Sequence, residues 1–182
     1  MLFRSVVCSL LVAGSCGGAP ERPPNIIYML ADDLGYGELG SFGQSKIRTP
    51  HLDALAEQGV RFTQHYSGSP VCAPSRATLM TGQHTGHTKI RDNLEIGGYP
   101  DPDELGQMPL DSGTYTIATM LRDAGYVTGA IGKWGLGGRT SLGQPRFQGF
   151  DYFFGYLDQQ LAHNFYPTHL WRNGDRKSTR LN

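Results

Sequence analysis

The strongest constraint in this chain is an apolar run that stops on two acids. Asn25-Ile-Ile-Tyr-Met-Leu-Ala31 is followed at once by Asp32-Asp33-Leu-Gly-Tyr-Gly37. A continuous apolar stretch of strand length predicts a strand buried on both faces of a parallel sheet. Adjacent carboxylates just past such a strand are costly unless something positive neutralises them. Oxygen ligands of this kind suit Ca²⁺ or Mg²⁺, which makes Asp32 and Asp33 candidate metal ligands. A plainer reading, in which Asp32 caps a turn and Asp33 is solvated, is the commoner outcome for such a pair taken alone.

The segments that follow keep the same alternation of elements. Thr49-Pro50 predicts a helix start, with Thr at the N-cap, Pro in the first turn, His51 to Gln58 as the body and Gly59 as the stop. Val60 to Tyr66 alternates like a second strand. Pro74 can open a helix that Gly82 closes, and a polar excursion from Gly82 to Gly113 holds His84, His87 and Asp92-Asn93. Thr114 to Ala124 predicts an amphipathic helix with Ile117, Met120 and Leu121 on one side and Gly125 as its stop. Tyr126 to Trp134 reads as another buried strand. Strand, helix, strand, helix, strand predicts an α/β domain with a largely parallel central sheet flanked by helices. In open sheets of this kind ligands bind beyond the carboxyl ends of the strands. Asp32-Asp33, the turn at Cys72 and Lys133-Trp134 all fall on that edge.

The first residues predict an export signal. Met1-Leu-Phe-Arg4 carries a positive charge, Val6 to Ala13 is a short apolar run, and small residues follow through Gly18. The run is too short to span a bilayer. Leu11-Val-Ala-Gly-Ser-Cys16 also resembles a bacterial lipobox, which would make Cys16 the lipidated first residue of a mature protein tethered by residues 20–24. The expected location is therefore periplasmic, outer-membrane-anchored or secreted. With 16 basic and 16 acidic residues the net charge is zero, so nothing electrostatic favours nucleic acid.

Cys72 then needs an explanation. Of the three cysteines, Cys8 and Cys16 belong to the signal region, so an exported chain is left with one thiol and no intrachain disulfide framework. It stands in Ser69-Pro-Val-Cys-Ala-Pro-Ser-Arg76, at the mouth of a helix, among residues that make a poor apolar pocket. The positive end of the helix and Arg76 one turn later favour an anion there. A half-buried thiol with Arg76 in water, and a thiolate nucleophile, are both compatible with the residues alone.

Cys72-Ala-Pro-Ser-Arg76, continued by Ala-Thr-Leu-Met-Thr-Gly82, resembles the signature of the type I, formylglycine-dependent sulfatases of the alkaline phosphatase superfamily. Asn25 to Gly35 resembles that family's first strand and metal-binding aspartates. Thr49-Pro-His-Leu-Asp53, Gly125-Tyr-Val-Thr-Gly-Ala-Ile-Gly-Lys-Trp134 and Gly149-Phe-Asp-Tyr-Phe-Phe-Gly155 match further landmarks in order. The similarity runs from about Pro24 to Gly174.

The resemblance implies that a maturation enzyme oxidises Cys72 to formylglycine (3-oxoalanine). It implies that Asp32, Asp33 and the modified residue 72 hold Ca²⁺, or Mg²⁺. The hydrated aldehyde would attack sulfur and then collapse to expel sulfate. Arg76 would hold the modified side chain, Lys133 would bind sulfate oxygens, and His163 would lie close to the substrate. The implied substrates are aryl sulfates or sulfated carbohydrates, with phosphonate or phosphodiester hydrolysis and non-catalytic binding of sulfated glycans as alternatives.

Two departures stand out. Many relatives carry His two residues after the lysine, where this chain reads Gly132-Lys-Trp-Gly135, leaving His87 as one candidate base for the collapse step. The family pattern also calls for a later Asp-Asn pair and later His and Lys residues. The expectation is therefore an N-terminal part of a sulfatase catalytic domain (residues 25–174), inactive alone, with residues 175–182 as an unmatched tail.

Overall fold

The computed structural model describes residues 22–96 and 104–179, which divide after Gly35 into two compact units. The expected signal region and Cys16 lie outside the described residues.

In the first unit, residues 25–31 form no hydrogen-bonded strand, and Ile27 is 85% exposed. This corrects the expected buried strand. Apolar composition marks a segment for burial, but a strand exists only where a neighbouring strand accepts its hydrogen bonds. The chain bends at Asp32 and Asp33, and Asp33 takes a left-handed conformation (φ 56°).

The second unit is a mixed α/β layer. Its helices are α1 (Pro50–Gln58), α2 (Cys72–Thr81), α3 (Ile117–Asp123) and α4 (Gln159–Ala162). Its strands are β1 (Gly129–Lys133), β2 (Tyr152–Tyr156), β3 (His169–Arg172) and β4 (Asp175–Ser178), in the order β1-β2-β3-β4. The parallel pair is β1–β2, in register from Gly129↔Tyr152 to Lys133↔Tyr156. Strands β3 and β4 run antiparallel. The expected α/β class is observed, with its parallel part confined to β1–β2 among the described residues.

Local signals place most of these elements. Thr49 precedes α1 with Pro50 in its first turn. The Thr49 hydroxyl does not cap the helix amides; it accepts from the Gly40 amide (2.8 Å) and lies 3.0 Å from Asp53 Oδ1. Gly82 ends α2 in the left-handed conformation (φ 66°), where its amide returns to the Thr78 carbonyl at 2.8 Å. In α3, Thr116 is the N-cap and accepts from the Thr119 amide. Its buried contacts come from Thr116 and Ala118 while Met120 is 47% exposed, so the expected Ile117–Met120–Leu121 face is rotated.

Two further expectations change. Val60 to Tyr66 is exposed and unpaired by any strand, because alternation alone supplies no partner edge. β1 lies within the predicted Tyr126–Trp134 strand, yet Ile131 is 81% exposed, because strand side chains alternate between faces and Ile131 stands on the open one with Gly129 while Ala130 faces the core. Beyond Gly174, Asn173-Gly174 turns the chain into β4, with Asn173 left-handed at φ 52°. An Asn-Gly pair is the standard signal for such a hairpin.

The core joins α2 to the end of β1. Ala73 and Ala77 of α2 pack with Ile90, Leu110, Trp134, Leu136, Phe153, Leu157 and Trp171. Trp134 donates its indole N–H to the Gly143 carbonyl at 2.8 Å and meets Phe150 edge-on at 5.7 Å. At the far side of the core, buried Glu104 accepts from Trp171 Nε1 (2.5 Å) and from His169 Nε2 (3.2 Å). Arg176 and Thr168 contact His169 Nδ1, so β4 is held to β3 by side chains as well as by the ladder. No helix among the described residues is long and apolar enough to cross a membrane.

Candidate active site at the start of α2

Cys72 is the first residue of α2 and is half-buried. The residues after it explain the placement. Pro74 falls in the first turn, where its missing N–H costs no helix bond, and Ser75 N–H already bonds to the Val71 carbonyl at 3.0 Å. Small Ala73 and Ala77 let the helix sit directly on the core. Sulfur is thereby presented at the helix mouth while the helix itself is anchored.

Lys133 arrives from the C-terminal end of β1. Its neighbour Trp134 is locked into the core, and Trp134 N–H bonds to the Tyr156 carbonyl at 2.9 Å. The Lys133 ammonium lies 3.3 Å from Cys72 Sγ and 3.2 Å from His163 Nε2. An ammonium only donates, so in this arrangement His163 accepts at Nε2 and carries its ring proton on Nδ1. Arg76 Nη1 donates to the Lys133 carbonyl, tying the first turn of α2 to the end of β1.

Four of the residues singled out in sequence, Cys72, Arg76, Lys133 and His163, therefore meet in one place. Asp32 and Asp33 belong to the other compact unit, where both are exposed. Their donor set of carboxylate oxygens on adjacent residues at a bend is the chemistry of a hard-cation site. Ca²⁺ takes about six to eight oxygens, more than these two carboxylates alone could offer. His84 sits in a tight turn, its Nδ1 accepting from the Gly86 amide at 3.0 Å, and His87 is exposed at the end of that turn.

Sequence reasoning missed a polar group beneath the site. Val71 stands at the N-cap of α2 and offers no side-chain acceptor. Asn93 Oδ1 takes that part instead, accepting from the Ala73 amide at 2.8 Å. Gln159 Nε2 also donates to Asn93 Oδ1 (3.1 Å) and to Gln107 Oε1 (2.7 Å). The available signal was the uncapped helix start itself, because exposed first-turn amides require an acceptor from somewhere. Gly135 belongs to the same cluster. It has φ 73°, and a Cβ there would lie 2.6 Å from Gln159 Cγ.

Comparison with known proteins identifies the family of the chain as a whole. The sulfatase family model matches residues 24–179. Human (Homo sapiens) arylsulfatase A is 44% identical over 151 residues, covering 81% of this chain and 28% of the relative. Mouse (Mus musculus) steryl-sulfatase is 42% identical over 143 residues, covering 76% of this chain and 23% of the relative. The chain thus spans about a quarter of the length of these curated relatives. The crystal structure of Ps i-CgsB superposes with a TM-score of 0.70 at 32% identity, covering 86% of this chain and 38% of that one. A structure of BT4656 in complex with its substrate D-glucosamine-2-N,6-O-disulfate gives a TM-score of 0.69 at 28% identity, covering 87% and 28%. With its signature helix, its β1 lysine and this breadth of match, the chain belongs to the sulfatase family.

Proposed function

We propose that this chain carries the nucleophile end of a sulfate-ester hydrolase, with residue 72 as the nucleophile after oxidation of Cys72 to formylglycine by a maturation enzyme. The observation that carries the proposal is the convergence of Lys133 Nζ on Cys72 Sγ at 3.3 Å, with His163 on the same ammonium. Once formed, the hydrated aldehyde at position 72 would supply one hydroxyl to attack sulfur as the S–O bond to the alcohol breaks and the alcohol leaves, and a second hydroxyl whose loss of a proton would re-form the aldehyde as the C–O bond to sulfate breaks. Lys133 binds the sulfate oxygens, placing a positive charge where negative charge grows in the transition state. Arg76 holds the end of β1 against the first turn of α2 and adds positive charge beside an anion. His163 lines the substrate side of Lys133.

Asp32, Asp33 and the oxygen of residue 72 are the ligands this chain would offer to Ca²⁺, or to Mg²⁺ by the same donor chemistry. When bound, such a cation supplies charge that favours the deprotonated form of a coordinated oxygen. The substrates proposed are aryl sulfates or sulfated carbohydrates. Relatives named for both classes support this, arylsulfatase A on one side and a human N-acetylgalactosamine-6-sulfatase at 38% identity on the other. The apolar and small-residue pattern of residues 1–18 supports export, with lipidation at Cys16.

Parallel assays on the sulfate and phosphonate esters of one aryl alcohol test the reaction, using the full-length protein matured in its host. Faster multiple turnover of the sulfate ester is expected. Preference for the phosphonate would reassign the chain to phosphonate hydrolysis. Binding of sulfated glycans with no turnover of either ester would make it a binding protein.

A further inference from the structure

We propose that Asn93 is a positioning residue for the nucleophile, acting through the backbone of α2; this rests on residue 72 being that nucleophile. The helix that presents Cys72 has no cap of its own, because Val71 at its N-cap carries no acceptor. Among its first-turn residues Pro74 has no amide hydrogen, and Ser75 is bonded to Val71. Ala73, the residue directly after Cys72, bonds to Asn93 Oδ1 from a loop 20 positions away, at 2.8 Å. A local cap would fix only the helix. A cap borrowed from the loop fixes the helix start against the rest of the core.

The asparagine is itself aimed from below. Gln159, at the start of α4 and 4% exposed, donates to it at 3.1 Å. Gln107, 1% exposed, receives the same Gln159 amide at 2.7 Å, and Gln107 Nε2 reaches Glu95 Oε1 at 3.2 Å. The Asp92 carboxylate accepts from the Asn93 amide at 2.8 Å, fixing its backbone. Gly135 leaves the space that Gln159 fills, with Gln159 Cγ and Cδ at 2.6 and 2.8 Å from where a Cβ would stand. The absence of a side chain at position 135, one residue past Trp134, is thus what lets the carboxamide chain reach Asn93. Angular errors of the nucleophile are expensive in rate, and a few tenths of an ångström in α2 would move residue 72 directly.

The test compares Asn93→Ala with Asn93→Asp, which keeps an oxygen acceptor for both the Ala73 and Gln159 amides. Two readouts are taken on the full-length protein: hydrogen exchange of the peptide covering 72–81, and steady-state kinetics on an aryl sulfate. Rates are normalised to the fraction of molecules carrying formylglycine. For Asn93→Ala we expect faster exchange in the first turn of α2 and kcat lowered about tenfold or more, with KM within about threefold. Asn93→Asp is expected to restore both. Unchanged exchange in Asn93→Ala overturns the proposal, and so does faster exchange with unchanged kcat, which would make the contact merely structural. If the wild-type protein turns over no sulfate ester, the proposed reaction is what fails. Exchange then decides whether Asn93 holds the start of α2, and unchanged exchange refutes it.

Discussion

The Lys133 ammonium stands 3.3 Å from the Cys72 sulfur across 61 positions of sequence. Two separate anchors produce that meeting. Trp134 is buried with its indole N–H bonded to Gly143, which fixes the exit of β1. Ala73 and Ala77 fix α2 on the same core. The pair is therefore a consequence of packing rather than of the charges themselves.

Removing the ammonium should act on the transition state. Lys133→Ala is expected to lower kcat on an aryl sulfate by about 100- to 1000-fold, the usual cost of losing one preorganised donor. The Lys133 backbone carbonyl that receives Arg76 is retained, so far-UV circular dichroism should be unchanged. Wild-type kcat in this variant would remove Lys133 from the site.

Arg76 joins two elements, so its loss should appear in stability. Arg76→Ala breaks a charged hydrogen bond between α2 and the end of β1, expected to cost about 1.5–3 kcal/mol. Arg76→Lys keeps the charge without the planar fork and should recover only part of it. Denaturant titration of the three proteins measures this directly.

Gly135 should not accept a side chain. Its φ of 73° and the approach of Gln159 both oppose a Cβ, so Gly135→Ala is expected to destabilise by about 1–3 kcal/mol. A thermal midpoint equal to wild type would show that Gln159 can withdraw without cost.

How far the sequence reaches is visible in these residues. The start of α1 and the end of α2 were legible because Pro50 and Gly82 are local signals whose chemistry does not depend on the rest of the chain. Cys72, Arg76, Lys133 and His163, which the structure brings together, were singled out through a family pattern. Asn25 to Ala31 and Val60 to Tyr66 were not, because periodicity reports which residues want burial and not which edge will receive them. The Asn93–Gln159–Gln107 chain was invisible for a related reason: three carboxamides in separate loop and helix segments carry no shared spacing. The β3–β4 hairpin has a local signal in Asn173-Gly174, but the polar residues that follow carry no alternation to mark them as a strand.

Asp151 gives the second unit a pH-dependent tie. The Thr128 amide bonds to its Oδ2 at 2.9 Å, the Thr128 hydroxyl at 3.1 Å, and Arg122 lies 3.5 Å from its Oδ1. The backbone hydrogen bond from Thr128 is the largest influence and lowers its pKa; partial desolvation opposes this, and the Thr128 hydroxyl and Arg122 lower it further. A carboxyl depressed in the folded state stabilises above the ordinary Asp pKa, about 4, and that stability fades as pH falls through the folded value. Asp151→Asn should therefore lower the thermal midpoint near neutrality, with the gap to wild type closing in acid. A gap that stays constant with pH would refute the tie.

The nature of residue 72 is tested most directly by mass spectrometry of the tryptic peptide Phe62 to Arg76, isolated from protein matured in its own host. The account predicts an aldehyde at position 72, trapped by a hydrazide reagent and absent from the Cys72→Ser protein. An intact, alkylatable thiol in every copy of the peptide would contradict it.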